Sequence, residues 1–183
     1  MRRALILMAF SLAACGGDST TPSIPQEEFE LPADQVAFDV SHNITKDGVR
    51  TAVLQSDTAL VYEEARRFDV TGVRVDFYQE DGTQAGTLTA KTGEYSLEQG
   101  AFIARDSVVL ITGEGETERR LETDELHYDI RADRIWTETA FTLYEQGRKS
   151  KGTSFYSDTA FRTWEVTGIQ TEGPPPAEPG TTF

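Results

Sequence analysis

A chain of 183 residues with 38% hydrophobic side chains is long enough for one domain with a real core and too polar for a polytopic membrane protein. Its 17 Lys and Arg against 31 Asp and Glu leave a formal charge of −14, which excludes a nucleic-acid binder that works by neutralising phosphates. One cysteine rules out an internal disulfide framework, and two histidines, His42 and His127, leave little material for a zinc site.

Arg2 and Arg3 precede the apolar run Ala4-Leu5-Ile6-Leu7-Met8-Ala9-Phe10, too short to cross a bilayer as a mature helix. Residues 1–14 therefore read as a secretory signal peptide. The run ends in Leu12-Ala13-Ala14-Cys15, and small residues before a lone cysteine resemble the bacterial lipobox, in which the thiol is diacylated and the chain is cut just before it. The competing reading is an ordinary signal peptide with an incidental cysteine. Cys15 is the expected lipid anchor and mature N-terminus. Burying acyl chains contributes about 0.8 kcal/mol per methylene, so two or more chains attach stably where one is marginal. Cleavage removes Arg2 and Arg3 and takes the charge to −16, so attachment comes from the lipid and not from anionic headgroups. Residues 15–32, rich in Gly, Asp, Ser, Thr, Pro, Gln and Glu, read as a flexible tether.

Residues 33–171 carry the pattern of strands. Val36, Phe38 and Val40 alternate with Ala37 and Asp39, Val73, Val75 and Phe77 alternate with Arg74 and Asp76, and Leu121-Glu-Thr123 keeps the same period. No window of helical length keeps an apolar face. The stretch from Ala59 to Phe68, with Glu63, Glu64, Arg66 and Arg67, reads as a turn or one helical turn at most. Turn signals recur at Asp47-Gly48, Asp81-Gly82, Gly113-Glu114-Gly115 and Gln146-Gly147, with the glycines at 48, 82, 115 and 147 spaced by 34, 33 and 32. Tyr62, Tyr95 and Tyr128 fall 33 apart, as do Val75, Val108 and Phe141, each followed two residues later by Phe77, Leu110 and Leu143. The spacing predicts one strand pair used three times, in hairpin units of about 33 residues that bury their apolar face against their neighbours. Residues 172–183, with Pro174-Pro175-Pro176 and Pro179-Gly180, read as a disordered tail.

The run Leu88-Thr-Ala90-Lys-Thr-Gly-Glu-Tyr95, then Val108-Val-Leu110, Leu121-Glu-Thr-Asp124-Glu-Leu126-His-Tyr128-Asp129, Ile135-Trp-Thr137 and Lys151-Gly152-Thr-Ser-Phe155-Tyr-Ser-Asp158, resembles the LptC family. LptC is the periplasmic component of the lipopolysaccharide-export system, related in fold to LptA and the OstA-type domains. The likeness spans about residues 51–168. A lipobox cysteine stands where enterobacterial members carry a membrane helix, and Gly152-Thr-Ser-Phe155 has one glycine where the family often has two. The resemblance implies an all-β fold, a twisted open β-jellyroll of two facing antiparallel sheets with a groove for lipid A acyl chains. It also implies an inner-membrane Lpt ABC transporter that supplies lipopolysaccharide, an LptA-like bridge that receives it, and a location on the periplasmic face of the inner membrane. Gly16, next to Cys15, is not the Asp associated with inner-membrane retention in enteric bacteria, so that location rests on the implied transporter.

Two sheets about 10 Å apart normally fill the gap with their own side chains. Splayed sheets admit an acyl chain, because groove and lipid tail both leave water favourably at roughly 25 cal/mol per Å². The candidate groove residues are Phe38, Leu54, Val75, Phe77, Leu88, Phe102, Val108, Leu110, Leu121, Ile135, Phe141, Leu143 and Phe155, with ordinary core packing the competing role for each. Exposed sheet edges invite pairing with a similar domain, and Val36, Val40, Phe161, Trp164 and Val166 mark the candidate edges. Lipid phosphates are repelled at contact by so acidic a domain and stay outside the groove. Arg66, Arg67, Arg119, Arg120, Arg131, Arg134, Arg148, Lys149 and Lys151 are the candidates for positive spots at one rim.

Enzyme readings find little support. Pairs such as Asp124 and Glu125 follow from composition, and neighbours on a strand point to opposite faces. No G-x-S-x-G elbow is present, and His42 and His127 lack a third N or S ligand, so no catalytic residue, cofactor or metal is called for. Two functions remain open. One is an LptC-like lipid-transfer component, and the other is a membrane-anchored structural or interaction β-sandwich with a closed core.

Overall fold

The computed structural model describes residues 33–172. The readings made for residues 1–32, Cys15 included, and for the tail beyond 172 lie outside the described residues.

Six long strands follow one another, β1 (Gln35–Lys46), β2 (Val49–Tyr62), β3 (Arg67–Tyr78), β4 (Gln84–Ser96), β5 (Ala101–Thr112) and β6 (Arg119–Asp129). Six short ones complete the chain, β7 (Arg134–Thr137), β8 (Phe141–Glu145), β9 (Arg148–Gly152), β10 (Ser154–Ser157), β11 (Trp164–Thr167) and β12 (Gln170–Glu172). Among the described residues the helical content is a single 3-10 turn at Gly115–Thr117. The stretch from Ala59 to Phe68, expected as a turn or one helical turn at most, is mostly strand, with residues 59–62 ending β2, Arg67 and Phe68 opening β3, and only residues 63–66 forming the turn. All pairings are antiparallel within one twelve-stranded sheet.

That sheet is folded on a line of bends. The β2–β3 ladder stops at Gln55↔Arg74 and resumes at Thr58↔Thr71, β4–β5 slips between Thr89 and Thr92, and β5–β6 slips between Arg105 and Val108. Left-handed backbone marks the same level at Asp39, Gly72, Asp106 and Ser107. Past β6 the strands are cut there altogether, so that β6 pairs β7 with one half and β8 with the other. In the same way β10 pairs β7 and β11, while β9 pairs β8 and β12. A first half-sheet thus ends in β7, β10 and β11, and a second in β8, β9 and β12. The two facing antiparallel sheets expected from sequence are halves of one hydrogen-bonded sheet.

The halves meet through side chains. Phe77 of the second stands edge-on to Tyr128 of the first with centroids 5.4 Å apart, His42 lies 5.5 Å from Tyr95, and Phe141 lies 6.4 Å from Phe155. Each hairpin of about 33 residues supplies the same inward positions. Val75, Val108 and Phe141 are buried just past the bend, and Phe77, Leu110 and Leu143 two residues further on. Tyr95 and Tyr128 are buried near the far end of the first half-sheet, and Tyr62 is half-buried beneath the Arg67 guanidinium.

On β1, β3 and β6 the inward residues change parity at the bend, and this corrects one sequence expectation. Alternation extended across Asp39 puts Phe38 inside with Val40. The left-handed Asp39, at φ 51°, resets the alternation, so Ala37 and Val40 pack on the core while Phe38 is 71% exposed on the edge strand. The same reset separates Val70 from Val73 on β3 and Thr123 from Leu126 on β6, all four of them buried.

At Gly72 the bend requires a left-handed backbone that a residue with a Cβ adopts only at a cost. Its φ is +65°, and a Cβ would also push aside the exposed Asp57 carboxylate on β2. Replacing Gly72 by Ala is expected to lower stability by about 1–3 kcal/mol, read as a lower urea midpoint, because a left-handed non-glycine residue adds to the steric conflict. Leu110→Ala, at a fully buried position, is expected to cost about 2–5 kcal/mol in the same assay. Phe38→Ala is expected to stay within about 0.5 kcal/mol of the parent, since its ring contributes little to the core.

Candidate functional site: an apolar interior between two half-sheets

The interior is built of cross-strand rows. In the second half-sheet the register aligns Leu54↔Val75↔Leu88↔Leu110↔Leu121↔Leu143 across six strands. In the first it aligns Phe68↔Tyr95↔Phe102↔Tyr128↔Ile135. Val108 and Phe141 flank the bend on opposite sides of Thr123, and Phe155 pairs with Thr137. Twelve of the thirteen candidate groove residues are thus brought together at 5% exposure or less, with Phe38 alone left outside. The rows close on one another, each fully buried leucine or phenylalanine contributing about 1.5–3 kcal/mol by leaving water.

The polar features lie at the margins of this interior. Tyr128 Oη reaches across to Thr51 Oγ1 at 3.4 Å, and burial pushes its phenol up to about 12 despite that bond. Arg119 continues the inward set of β6, pairs with Glu145 opposite it on β8, and lies 5.1 Å over the Trp164 ring of the other half-sheet. An ion pair and a cation–π contact therefore bridge the halves at their outer rim. Sequence reasoning placed Arg119 among rim cations but missed its partners. The signal was available, because alternation counted back from Leu121 puts Arg119 on the inward face.

The cations do not gather at one rim. Arg66, Arg67, Arg131 and Arg134 sit at the turns of the first half-sheet, while Arg119, Arg120, Arg148, Lys149 and Lys151 lie on β6 and β9 of the second. Turns at the two ends of each long strand keep these groups apart. Most are engaged, Arg67 with Asp69, Arg120 with Glu122, Arg131 with the Glu98 carbonyl, Arg134 over Trp136 and Lys149 over Tyr144.

On the outer face of the first half-sheet, Arg105 bridges Glu94 and Glu125, Glu125 accepts from His127 Nε2 at 2.8 Å, and His127 stacks on Trp136 at 5.0 Å. Burial raises the Glu125 carboxyl, but the bonds from His127 and Arg105 outweigh it and hold the group below the usual carboxylate range. His42 is distant in register on β1, and among the described residues no cluster of His, Cys, Asp and Glu is arranged to hold a metal.

The sheet ends in β1 on one side and in β11 and β12 on the other. Val36 and Val40 lie on β1, half-buried, and Trp164 and Val166 lie on β11. Phe161 is not on an edge strand. It sits in the loop between β10 and β11, where Asp158 holds a tight turn, and its ring enters the interior to stand edge-on to Phe77 at 5.7 Å.

Among curated proteins none matches the sequence at a significant level. Among solved structures, the fold is similar to that of LptH from Pseudomonas aeruginosa, described as the LptA-homologous periplasmic component of the conserved lipopolysaccharide transport device. The TM-score is 0.51 at 12% sequence identity, with 68% of this chain and 95% of that chain covered. The family model described as lipopolysaccharide-assembly, LptC-related, matches residues 4–167. With nearly the whole strand framework inside that match, the chain belongs to the LptC-related family of lipopolysaccharide-assembly proteins.

Proposed function

We propose that this protein is a periplasmic component of lipopolysaccharide transport that takes acyl chains between its half-sheets. It receives them from an inner-membrane ABC transporter and passes them to an LptA-like bridge. The observation that carries the reading is the continuous row from Leu54 to Leu143, six apolar side chains wide and facing a second apolar row across a hinge of bent strands. Family membership and the LptA-like fold support it. An acyl chain that enters as the halves part exchanges protein–protein for protein–lipid contact, so little apolar area returns to water. No covalent step is involved.

The open edges suit hand-over. Backbone groups on β1 and on β11–β12 have a pairing partner on one side only, and a similar domain can extend the sheet through either. Cys15, in its lipobox-like setting, is the proposed lipid anchor that keeps the domain beside the inner-membrane transporter.

The closed packing of the rows favours a second reading, a membrane-anchored interaction β-sandwich with no lipid transfer. In-cell photo-crosslinking separates the two. A photoreactive amino acid at Phe102 or Leu110 is expected to trap lipopolysaccharide in an ATP-dependent manner, while one at Glu116, exposed on the 3-10 turn, is not. Folded, correctly located protein that yields no lipid adduct at either inward position would leave the interaction role in place.

A further inference from the structure

Resting on the acyl-transfer reading, we propose that residues 158–163 form a displaceable stopper. The Phe161 ring holds the place between the half-sheets that the end of a saturated acyl chain takes on loading.

Among the described residues, every other aromatic packed in the core belongs to a strand. Phe161 comes from a loop, and its backbone is left-handed at φ 53°, an unfavourable conformation for a bulky residue. Its ring covers Gly86, where a Cβ would come within 2.8 Å, and touches Phe77, which in turn meets Tyr128 of the opposite half. The ring therefore stands on the contact between the halves and not beside it.

Open clefts lie on both flanks of the loop. One of about 520 Å³ reaches Arg50, Tyr78 and Asp133, another of about 540 Å³ reaches Gly86, Ile111 and Arg119, and Ala160 lines both. The loop and Gln79 of the β3–β4 turn together partition them. Moving it aside joins two clefts into one opening that leads to Phe77.

The fastening of the loop is polar and mostly internal. The Asp158 carboxylate accepts from the Arg162 and Thr163 backbone N–H groups at 2.7 and 3.1 Å and from the Arg162 guanidinium at 3.0 Å, so the turn travels as a unit. Its side-chain tie to the neighbouring β6–β7 turn is the bond from the Thr159 hydroxyl to the Asp133 carboxylate. Thr159 is buried and its bond to a carboxylate is charge-assisted, so this tie is the one that displacement must break. An acyl chain that replaces the ring covers the same apolar surface, so the apolar part of the displacement is close to balanced. A rigid strand residue could not move out in this way, which is the physical reason to find the stopper in a loop.

The test locks the loop without touching Phe161. In the full chain carrying Cys15→Ser, Asp133→Cys and Thr159→Cys place two thiols where hydrogen-bonded side chains now meet, and closure of the disulfide is checked by thiol titration before binding is measured. Binding of fluorescently labelled lipopolysaccharide is titrated with the pair oxidised and then reduced, alongside Phe161→Ala in the same background. Locking removes the competent conformer, so the oxidised protein is expected to bind about tenfold or more weakly than the reduced protein, and Phe161→Ala to load faster than the parent. Equal affinity in both redox forms with unchanged loading by Phe161→Ala would overturn the stopper and leave acyl transfer standing. Failure of every form to bind, the parent included, would overturn acyl transfer and the stopper with it.

Discussion

Every strand of this protein has to break its ladder at the same level, and the rest of the architecture depends on that shared break. A twelve-stranded antiparallel sheet with one apolar face and nothing to cover it would expose that face to water. Bending all the strands along one line lets the sheet cover itself, with the apolar face of one half laid on that of the other. Left-handed backbone at Asp39, Gly72, Asp106 and Ser107, and outright interruption beyond β6, supply the bend. Asp tolerates that conformation better than most side chains, and Gly accepts it freely.

A sheet folded on itself differs from a sandwich of separate sheets in a way that bears on function. The two faces are joined along the bend by continuous strands, whereas at the rim they meet only through side chains such as Arg119 and Trp164. The separation that the proposed acyl transfer requires is a hinge motion, costly at the bend and cheap at the rim. On the proposed acyl transfer such a motion has a purpose, since acyl chains are apolar enough to replace the contacts that opening removes.

Much of this was legible in the sequence because a strand has a period of two and a hairpin has a length. Twelve of the groove candidates, named on strand alternation and repeat spacing together with the family resemblance, are buried, and the turns at Gly48, Gly82 and Gly147 fell where repeat spacing put them. What alternation could not show is the reset of parity at the bend, because one extra residue in a strand leaves no compositional mark. Phe38 was misplaced for that reason. Phe161 was assigned to an edge strand because an aromatic near Trp164 and Val166 looks like part of the same period, whereas Asp158 captures the backbone first and turns the ring inward. Arg119 was placed among the rim cations without its partners, because alternation gives the face on which it lies but not the strand opposite, where Glu145 stands. The split of the cations between two ends is a long-range consequence of the fold and has no local signal.

The central claim is that the half-sheets part to admit lipid. Spin labels at Gln99 and Glu116, exposed at the outer turns of the first and second half-sheets, report their separation by pulsed dipolar spectroscopy. The account predicts a longer and broader distance distribution at saturating lipopolysaccharide than in its absence. A distribution that does not change at saturation would contradict it.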